Sequence, residues 1–461
     1  MKSSRAAIYS KTHSIPDIHF MASENESLTS YSGLIVYQAL FEKLGLKESL
    51  RQCFSHLKVT PIFRPHLIML LLIVHLTLGF RQLRERDFYA NDPLVKRLLG
   101  WRRIPDVSTI CRSLSAADEK CVANARDLNR KLVLNRLVAE ALARITLDFD
   151  GSVLSTSRNA EGTAVGFNKQ KKGARSYYPL FCTVSQTGQI LDLHHRSGNV
   201  HDSNGAEEFA LECIRRARAA VDNAVIESRF DSAFFQEPML VKLDQAGVEF
   251  TVSVPFERFA ELKGIIERRQ RWRTLDDIWS FFDCDWKPKC WNERFRFVFV
   301  RQQVKVKRKG PLQLDLFEPR QYEYDYKVFV TNKTCGAKKA LIFHNGRGSQ
   351  EGVFAKAKDG AHLDYIPVRS LHGNQLFCLA SVLTHNLSRE VQFDALERSR
   401  GTTEKRSPHW VFRTLDTLRR TIFIKAGRLT RPQNRLTLVM GANQKFQTDL
   451  RQLLGSLGYA A

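Results

Sequence analysis

The chain has 461 residues, of which 43% are hydrophobic. This is enough for a packed core and for roughly three domains of about 150 residues, which excludes a generally disordered protein. Lys and Arg number 71 against 48 Asp and Glu, a net charge of +23 with an isoelectric point near 9.8, and this excess favours a polyanionic partner, either nucleic acid or an anionic membrane.

Membrane and secretory roles have little support in the sequence. The first seven residues lack an apolar segment, so no secretory signal is predicted. The longest apolar run, residues 67–80, is 14 residues long and contains His75. It is too short to cross a bilayer and predicts a buried helix instead. Nucleic acid is therefore the expected polyanion, without membrane association.

The nine cysteines form no recognisable framework. Their number is odd and no pair has Cys-x2-Cys spacing. Neither a disulfide scaffold nor a zinc site is predicted on this basis. The expected role is that of small buried apolar residues in a reducing compartment.

The N-terminal third is predicted to be helical after a loose tail over residues 1–30. Residues 31–140 have mainly helical patterns and are expected to form a DNA-binding region. Within it, residues 94–99 precede a turn and a second helix over 106–114. This pair fits a helix-turn-helix, and an ordinary segment of a helical bundle fits it equally well.

The pattern changes to strands near residue 145 and predicts the first part of a catalytic core over 141–256. The expected elements are strands over 145–154, 179–185 and 189–195, a helix over 205–221, a strand over 224–230, a helix over 237–245 and a strand over 249–254. The order β-β-β-α-β-α-β resembles the ribonuclease H-like core. The predicted fold class is therefore α/β, with helices on the faces of a central sheet.

Residues 257–334 are predicted to be a β-rich insertion that does not continue this core. Strands are expected over 294–300 and 322–330, joined by a basic link at 305–309. Trp286 and Trp291 in this insertion are candidates for stacking on an unpaired base, with plain core packing as the alternative.

Helical patterns return after the insertion. Residues 335–395 are predicted to form the second part of the core, with helices over 335–358 and 374–391. The last region, 396–461, is expected to be basic and helical. Residues 401–461 contain eleven Lys and Arg against three acidic residues.

Three carboxylates occur in contexts that suit metal-dependent phosphoryl transfer. Asp150 ends a predicted strand, Asp231 ends another, and Glu351 lies on a later predicted helix. Two metal ions about 3.5–4 Å apart need oxygen ligands that converge from separate elements. Asp148 is the alternative to Asp150, and helix capping is the alternative role for Asp231.

Cations accompany the third carboxylate at helical spacing. The set is His344, Arg347, Glu351 and Lys358. On one continuous helix these residues occupy a stripe about 60° wide, which could present a metal ligand flanked by phosphate contacts. A solvated face with an Arg–Glu pair is the alternative. Glycines at 346 and 348 argue against a continuous helix at its start.

Together these features resemble the DDE transposases of bacterial insertion sequences, in the group with a Tyr-x2-Arg-x3-Glu-x6-Lys signature. Here the signature begins with His344 in place of Tyr and continues through Arg347, Glu351 and Lys358. The similar flanking motifs are Asp150-Gly-Ser, Arg229-Phe-Asp-Ser-Ala-Phe-Phe235 and Gly198-Asn-Val-His-Asp-Ser203. The resemblance covers roughly residues 65–440.

The resemblance implies a ribonuclease H-like core interrupted by a β-rich insertion, with a catalytic triad of Asp150, Asp231 and Glu351. These residues would hold two Mg²⁺ ions, with Mn²⁺ as a substitute. It further implies binding to terminal inverted repeats, cleavage of the element's ends, and joining of the 3′-hydroxyls to target DNA by a homodimer, usually as cut-and-paste. The expected location is the bacterial cytoplasm, at the nucleoid.

The expected contacts to double-stranded DNA extend beyond the triad. They comprise His344, Arg347 and Lys358, the loop residues Lys171, Lys172 and Arg175, the link at 305–309 and the basic C-terminal helices. Solvated loops are the alternative for the basic segments. Two other functions stay open: a ribonuclease H-like nuclease without strand transfer, and an inactive protein that only binds terminal repeats.

Overall fold

The protein is described by a computed structural model that covers residues 27–57, 62–157, 159–166, 171–200, 204–304, 324–441 and 443–459. Within these residues it is a mixed α/β protein with fourteen α-helices and a large mixed sheet. None of the described helices is long and apolar enough to cross a membrane. The predicted link at 305–309 and residues 201–203 of the Gly198 motif lie outside the described residues.

The N-terminal third is helical, as predicted. Its elements are strand β1 (Leu28–Thr29) and helices α1 (Ile35–Lys43), α2 (Leu46–Cys53), α3 (Pro65–Leu78), α4 (Pro93–Leu99), α5 (Val107–Ser115) and α6 (Glu119–Glu140). Helix α3 begins at Pro65, whose missing N–H is harmless in the first turn, and ends at Gly79 with a φ of 95°. It is buried along almost its whole length, which confirms the prediction for residues 67–80.

The next segment forms the predicted core elements in the predicted order. They are β2 (Arg144–Gly151), β3 (Leu154–Thr156), β4 (Ala164–Val165), β5 (Arg175–Tyr177), β6 (Leu180–Val184), β7 (Gln189–His194), α7 (Ala206–Ala220), β8 (Val225–Phe230), α8 (Glu237–Gln245) and β9 (Glu249–Ser253). Strands β3, β5 and β4 form a small sheet of their own. The others lie side by side in the order β7-β6-β2-β8-β9, with β2, β8 and β9 parallel.

The predicted insertion extends this sheet, so the expectation that it does not continue the core is wrong. It contains α9 (Ala260–Arg268), β10 (Arg273–Thr274), β11 (Trp279–Trp286), β12 (Phe295–Gln303) and β13 (Tyr324–Thr331). Strand β13 pairs antiparallel with β9, with Phe329 opposite Ser253, and one nine-stranded sheet results. The pairing satisfies the backbone groups of β9, which would otherwise form an exposed edge.

The C-terminal part returns to helices and then departs from the prediction. It contains α10 (Ala337–Asn345), α11 (Ser349–Ala361), α12 (Leu371–Phe393), α13 (Leu415–Leu418), β14 (Gly427–Thr430), β15 (Thr437–Met440) and α14 (Gln444–Ser456). The all-helical expectation for 396–461 is wrong because β14 and β15 form a hairpin, and β1 adds to it. Pro432 and two left-handed residues, Gln433 and Asn434, form its turn.

The two faces of the sheet pack against different helices. Along β2, Leu147 and Phe149 belong to a core shared with α7 and α8. Asp148 and Asp150 alternate with them and point to the opposite face. That face is covered by α11 and α12, where Phe354 of α11 packs on Phe181 of β6 at a ring distance of 5.1 Å. The carboxylates of β2 therefore lie on the α11 side of the sheet.

Candidate active site

Asp150 and Asp231 lie at matching ends of two neighbouring parallel strands. The last paired residues, Phe149 of β2 and Phe230 of β8, are opposite each other and stack at 4.9 Å on the far face. The two aspartates follow directly, and adjacent strands are about 4.8 Å apart. Gly151 is required next to Asp150, because a Cβ there would lie 2.5 Å from the ring of Tyr178. Two separate strands thus bring the carboxylates to one edge of the sheet.

Asp231 also has a local structural role. It is the N-cap of a short 3₁₀ helix, and its Oδ1 accepts a hydrogen bond of 2.9 Å from the backbone N–H of Ala233. A carboxylate offers about four lone-pair sites, so a capping bond does not by itself prevent it from binding a cation. Capping and metal binding are compatible at this position.

Asp148 has a different environment from Asp150. It is 1% exposed and forms a two-pronged ion pair with the fully buried Arg229, at 2.5 Å from Nε and 2.7 Å from Nη2. Burial raises the pKa of Asp148, and the facing guanidinium lowers it. Asp150 is 19% exposed; its Oδ1 accepts the backbone N–H of Gly151 at 2.8 Å, and its Oδ2 lies 3.2 Å from Arg347 Nη1. Asp148 is held inside the fold, whereas Asp150 is accessible from the site.

Arg229 connects the core to the segments that carry the third carboxylate. Its Nη1 donates to the carbonyl oxygens of Phe343 at the end of α10 and Lys405 in the C-terminal loop, each at 2.9 Å. Its Nη2 also donates to Ser185 Oγ at 2.7 Å. The guanidinium therefore fixes strands β2 and β8, helix α10 and the C-terminal loop relative to one another.

A second buried ionic cluster anchors the same loop. Glu227 of β8 is fully buried and accepts hydrogen bonds from Arg406, Lys333 and Arg144 at 2.7–2.8 Å. Burial raises the pKa of Glu227, but these cations outweigh it and lower the pKa to about 2. Glu227 and Arg229, two residues apart on β8, thus bind two consecutive positions of the loop, 406 and 405.

Residues 335–358, predicted to be helical, contain two helices, and the two glycines that argued against a continuous helix lie at their junction. Helix α10 ends at Asn345, a 3₁₀ turn spans Gly346–Gly348, and α11 begins at Ser349. The junction lies against Arg229 and the C-terminal loop: a Cβ on Gly346 would lie 2.0 Å from Arg229 Nη1 and 2.2 Å from Lys405 O. Glycine permits this contact, and the backbone changes there from α-helix to a 3₁₀ turn. The stripe of four residues is consequently divided between two helices and a turn.

Arg347 and Lys358 both reach the region where β2 ends. Arg347, in the turn, binds Asp150 as described. Lys358 of α11 donates to the carbonyl oxygen of Val153, two residues beyond β2, at 3.3 Å. Burial lowers the pKa of Lys358, an effect that Asp364 and Asp359 oppose. Both cations therefore lie beside the end of β2.

His344 is packed inside the protein. Its ring stacks on Phe329 at 4.8 Å, and its two nitrogens lie 3.0 Å from Thr251 Oγ1 and Ser253 Oγ. Burial, with Arg347 and other cations nearby, lowers the pKa of His344 to about 3. A neutral His344 thus fastens the end of α10 to β9 and β13.

Glu351 is exposed in the first turn of α11. The preceding residue, Gln350, is buried and donates to the carbonyl oxygen of Asp148 at 2.9 Å, which docks this turn on β2. The carboxylates of Asp150, Asp231 and Glu351, all within the described residues, do not gather within 4.8 Å of one another. They are too far apart to surround one ion, since ligand oxygens about 2.1 Å from a Mg²⁺ ion lie at most about 4.2 Å apart.

The remaining residues that were predicted to contact DNA lie in other parts of the structure. Lys171 and Lys172 are exposed in a turn before β5. Arg175 begins that strand and donates to Thr163 Oγ1 at 3.0 Å. Trp291 is 9% exposed and packs on Phe235 at 4.7 Å. Trp286 packs edge-on against Phe297 at 5.0 Å. These contacts give both tryptophans a place in the core.

The sequence matches the family model of transposase DDE domain group 1 over residues 20–460. The chain belongs to this family of DDE transposases. The match confirms the family that the carboxylate pattern predicted, while the narrower signature group stays a prediction. A solved piggyBac transposase synaptic complex with hairpin DNA is also similar, with a TM-score of 0.38 and 12% identity over 81% of this chain and 78% of that chain. No curated protein sequence gave a significant match.

The principal site residue missed by sequence reasoning is Arg229 of this transposase. Its signal was the polar run Glu227-Ser228-Arg229 in a strand that is otherwise apolar. A charged residue is almost never fully buried without a partner. An Arg in a buried strand therefore indicates a carboxylate on a neighbouring element. Here that carboxylate is Asp148, which lies opposite Arg229 on the adjacent strand β2.

Proposed function

We propose that this chain is a DNA transposase that cleaves the ends of its element and joins the 3′-hydroxyls to target DNA, with Asp150, Asp231 and Glu351 as the catalytic triad. One observation carries the assignment. The first two carboxylates end adjacent parallel strands, and Arg347, four residues before Glu351, binds Asp150 directly. Arg347 and Asp150, 197 residues apart in sequence, thus meet at the end of β2. Membership of the DDE family implies nucleotidyl transfer as the reaction.

The strand order supports a ribonuclease H-like core. Five strands lie in the order β7-β6-β2-β8-β9, the first hairpin antiparallel and the last three strands parallel. Parallel strands with crossover helices bind their ligands outside the carboxyl ends of the strands. Asp150 and Asp231 are located at such ends. We infer that strands β10 to β13 are a family-specific extension of this core.

The donor set fits a pair of Mg²⁺ or Mn²⁺ ions. All three proposed ligands are carboxylates, and oxygen-only sites suit these hard cations better than zinc. Two ions about 4 Å apart can be held by carboxylate oxygens up to about 8 Å apart, so a two-ion site does not require the three carboxylates to lie within 4.8 Å of one another. When bound, the ions supply activation of the attacking oxygen and stabilisation of the leaving 3′-oxygen.

The neighbouring side chains have assignable roles. We propose that Arg347 releases Asp150 when DNA arrives and then contacts a phosphate near the scissile bond, because guanidinium groups bind phosphate oxygens in the same geometry as carboxylates. Lys358 is proposed as a second phosphate contact. His344 is a positioning residue that holds the end of α10. Asp148 and Arg229 keep the two strands in register beneath the triad.

The excess of positive charge supports double-stranded DNA as the partner. We propose that Lys171, Lys172 and Arg175 contact the DNA backbone, and that the helical N-terminal region recognises the terminal inverted repeats. A homodimer that joins the two ends is part of the same proposal. Helices α4 and α5 are candidates for the recognition element.

A strand-transfer assay tests the proposal against its nuclease alternative. DNA in which the element's terminal repeats are still joined to flanking DNA is incubated with supercoiled target DNA, Mg²⁺ and the wild-type chain. We expect joined products, and none with Glu351→Gln. Hydrolysis of the ends without joining would support the nuclease. Specific end binding with neither product would support the inactive repeat-binding protein.

A further inference from the structure

A group of three potential metal ligands lies outside the proposed active site, at the end of α2 and the start of α6. His56 Nε2 is 3.0 and 3.1 Å from the two carboxylate oxygens of Asp118, and 3.7 Å from Cys121 Sγ. The three ligand atoms lie within 4.8 Å of one another. Across the described part of the chain, this is the single group of three His, Cys, Asp or Glu residues that meets this distance.

We propose that His56, Asp118 and Cys121 form a structural Zn²⁺ site. Tetrahedral Zn²⁺ with bonds of about 2.3 Å to sulfur and about 2.05 Å to nitrogen or oxygen requires an N···S separation of about 3.6 Å and an N···O separation of about 3.3 Å. The observed 3.7 Å and 3.0 Å differ from these by about 0.3 Å or less. Rotation of the exposed Asp118 side chain supplies that adjustment.

The mixed donor set selects zinc over the ions proposed for the active site. Imidazole and thiolate are ligands that suit Zn²⁺, whereas Mg²⁺ prefers oxygen alone. A hydrogen bond from the backbone N–H of Cys121 lowers the pKa of Asp118, so its carboxylate is ionised at neutral pH. Burial raises the pKa of the Cys121 thiol to about 11, so zinc must displace a proton on binding.

The competing interpretation is a hydrogen-bonded His–Asp pair that only caps α6. Asp118 is the N-cap of this helix and accepts the Cys121 N–H at 2.8 Å. That role does not explain why a buried thiol faces the same imidazole nitrogen. Nor does capping consume the carboxylate, which has further lone pairs for a metal.

The position of the site indicates what zinc would stabilise. His56 follows α2, and the other two ligands begin α6, 62 and 65 residues later. Helix α6 in turn binds the core, since Arg126 and Arg130 both pair with the buried Asp192 of β7. Zinc would therefore fasten the N-terminal helices to the helix that docks on the catalytic sheet. The fourth position would take water, since Cys53 lies outside the group and its thiol donates to the carbonyl oxygen of Asn124.

The sequence prediction of no zinc site depended on the absence of Cys-x2-Cys spacing. The chain instead has Asp118-x2-Cys121, a pair with this spacing but mixed ligands, and His56 62 residues earlier. Paired ligands three residues apart are typical of structural zinc sites. Only the fold brings His56 to this pair.

The test is metal titration of the full-length chain after chelator treatment. With Co²⁺ alone, we expect one tight equivalent with the d–d absorption of tetrahedral cobalt and a thiolate-to-cobalt charge-transfer band. Zn²⁺ should displace the cobalt and raise the melting temperature. The proposed triad contains no sulfur, so the charge-transfer band distinguishes this site from the active site whether or not the proposed function is correct.

Matched variants show which cysteine produces the charge-transfer band. Cys121→Ser should abolish it, while Cys290→Ser, which removes the exposed thiol, should keep it. Asp118→Asn retains the cap because Asn also caps helices, and it should weaken Zn²⁺ binding at least about tenfold. Should Cys121→Ser fail to fold, His56→Gln provides the same test. Absence of the band in the wild-type chain, or its persistence in the ligand variants, would overturn the proposal.

Discussion

Replacing Asp148 and Asp150 one at a time by Asn should distinguish a residue needed for stability from a residue needed for catalysis. The two carboxylates are two residues apart on β2 and point to the same face, but their surroundings differ. Asp148 faces the buried Arg229 with two hydrogen bonds, and both side chains are at most 1% exposed. Asp150 and Arg347 share one contact of 3.2 Å and are 19% and 23% exposed.

These contacts set the expected magnitudes. Asp148→Asn leaves the Arg229 charge buried without a counter-charge, and breaking such a pair costs about 3–5 kcal/mol. That is a large fraction of the roughly 5–15 kcal/mol that stabilises a typical domain. Asp150→Asn removes a partly solvated pair worth about 0–1 kcal/mol. We therefore expect Asp148→Asn to lose stability and Asp150→Asn to keep it while losing DNA cleavage.

Urea unfolding followed by tryptophan fluorescence measures the first effect, and cleavage of terminal-repeat DNA measures the second. The midpoint of Asp148→Asn should fall with an unchanged slope, which indicates a loss of stability rather than a change in the unfolded state. Asp150→Asn should unfold like wild type. Equal stability of the two variants would refute the structural role of Asp148. Wild-type cleavage by Asp150→Asn would refute its role as a ligand.

Three further predictions follow from the same region. Gly346→Ala should lower the free energy of unfolding by about 1–3 kcal/mol or more, because its Cβ would collide with buried groups. The control is Gly348→Ala, since a Cβ at Gly348 would have no neighbouring atom within 4 Å. In thermal melts this control variant should be as stable as the wild type or slightly more stable. Glu227 has a pKa lowered from 4.5 to about 2, so the stability that its charge contributes, about 3 kcal/mol, is present above pH 4.5 and lost as the pH falls towards 2. In acid titrations followed by circular dichroism, the stability of Glu227→Gln should therefore depend less on pH over that range. A pH profile equal to that of the wild type would contradict the ion cluster. Arg347→Ala should reduce the slope of log affinity for DNA ends against log salt concentration by roughly 0.9, and Arg347→Lys should restore the wild-type slope. An unchanged slope in the Ala variant would contradict the proposed phosphate contact.

The elements of the core could be predicted from the sequence because their signals are local. Helix α8 has the predicted bounds, Glu237–Gln245, and the hairpin of β6 and β7 follows from two apolar runs around a Gly turn. The pairing of β13 with β9 could not be predicted in this way. It joins Phe329 to Ser253, 76 residues apart, and no local periodicity encodes which edge a strand selects.

The residues of the candidate site could be proposed from the sequence, but the hydrogen bonds and packing around them could not. Asp150, Asp231 and Glu351 were identified from their strand-end and helical contexts. The choice between Asp148 and Asp150 depends on Arg229, which lies on another strand and binds Asp148 across the sheet. The break between α10 and α11 depends on the same guanidinium, since it occupies the space beside Gly346. Long-range packing therefore decided the details that local patterns left open.

The most direct test of the central claim measures end binding and cleavage in the same preparations of wild type, Asp150→Asn, Asp231→Asn and Glu351→Gln. DNA carrying the element's terminal repeats is supplied with Mg²⁺ or with EDTA. We predict that all four proteins bind the ends and that only the wild type, only with Mg²⁺, produces 3′-hydroxyl termini. Cleavage by Glu351→Gln at the wild-type rate, or by the wild type in EDTA, would contradict a metal-holding triad of these three residues.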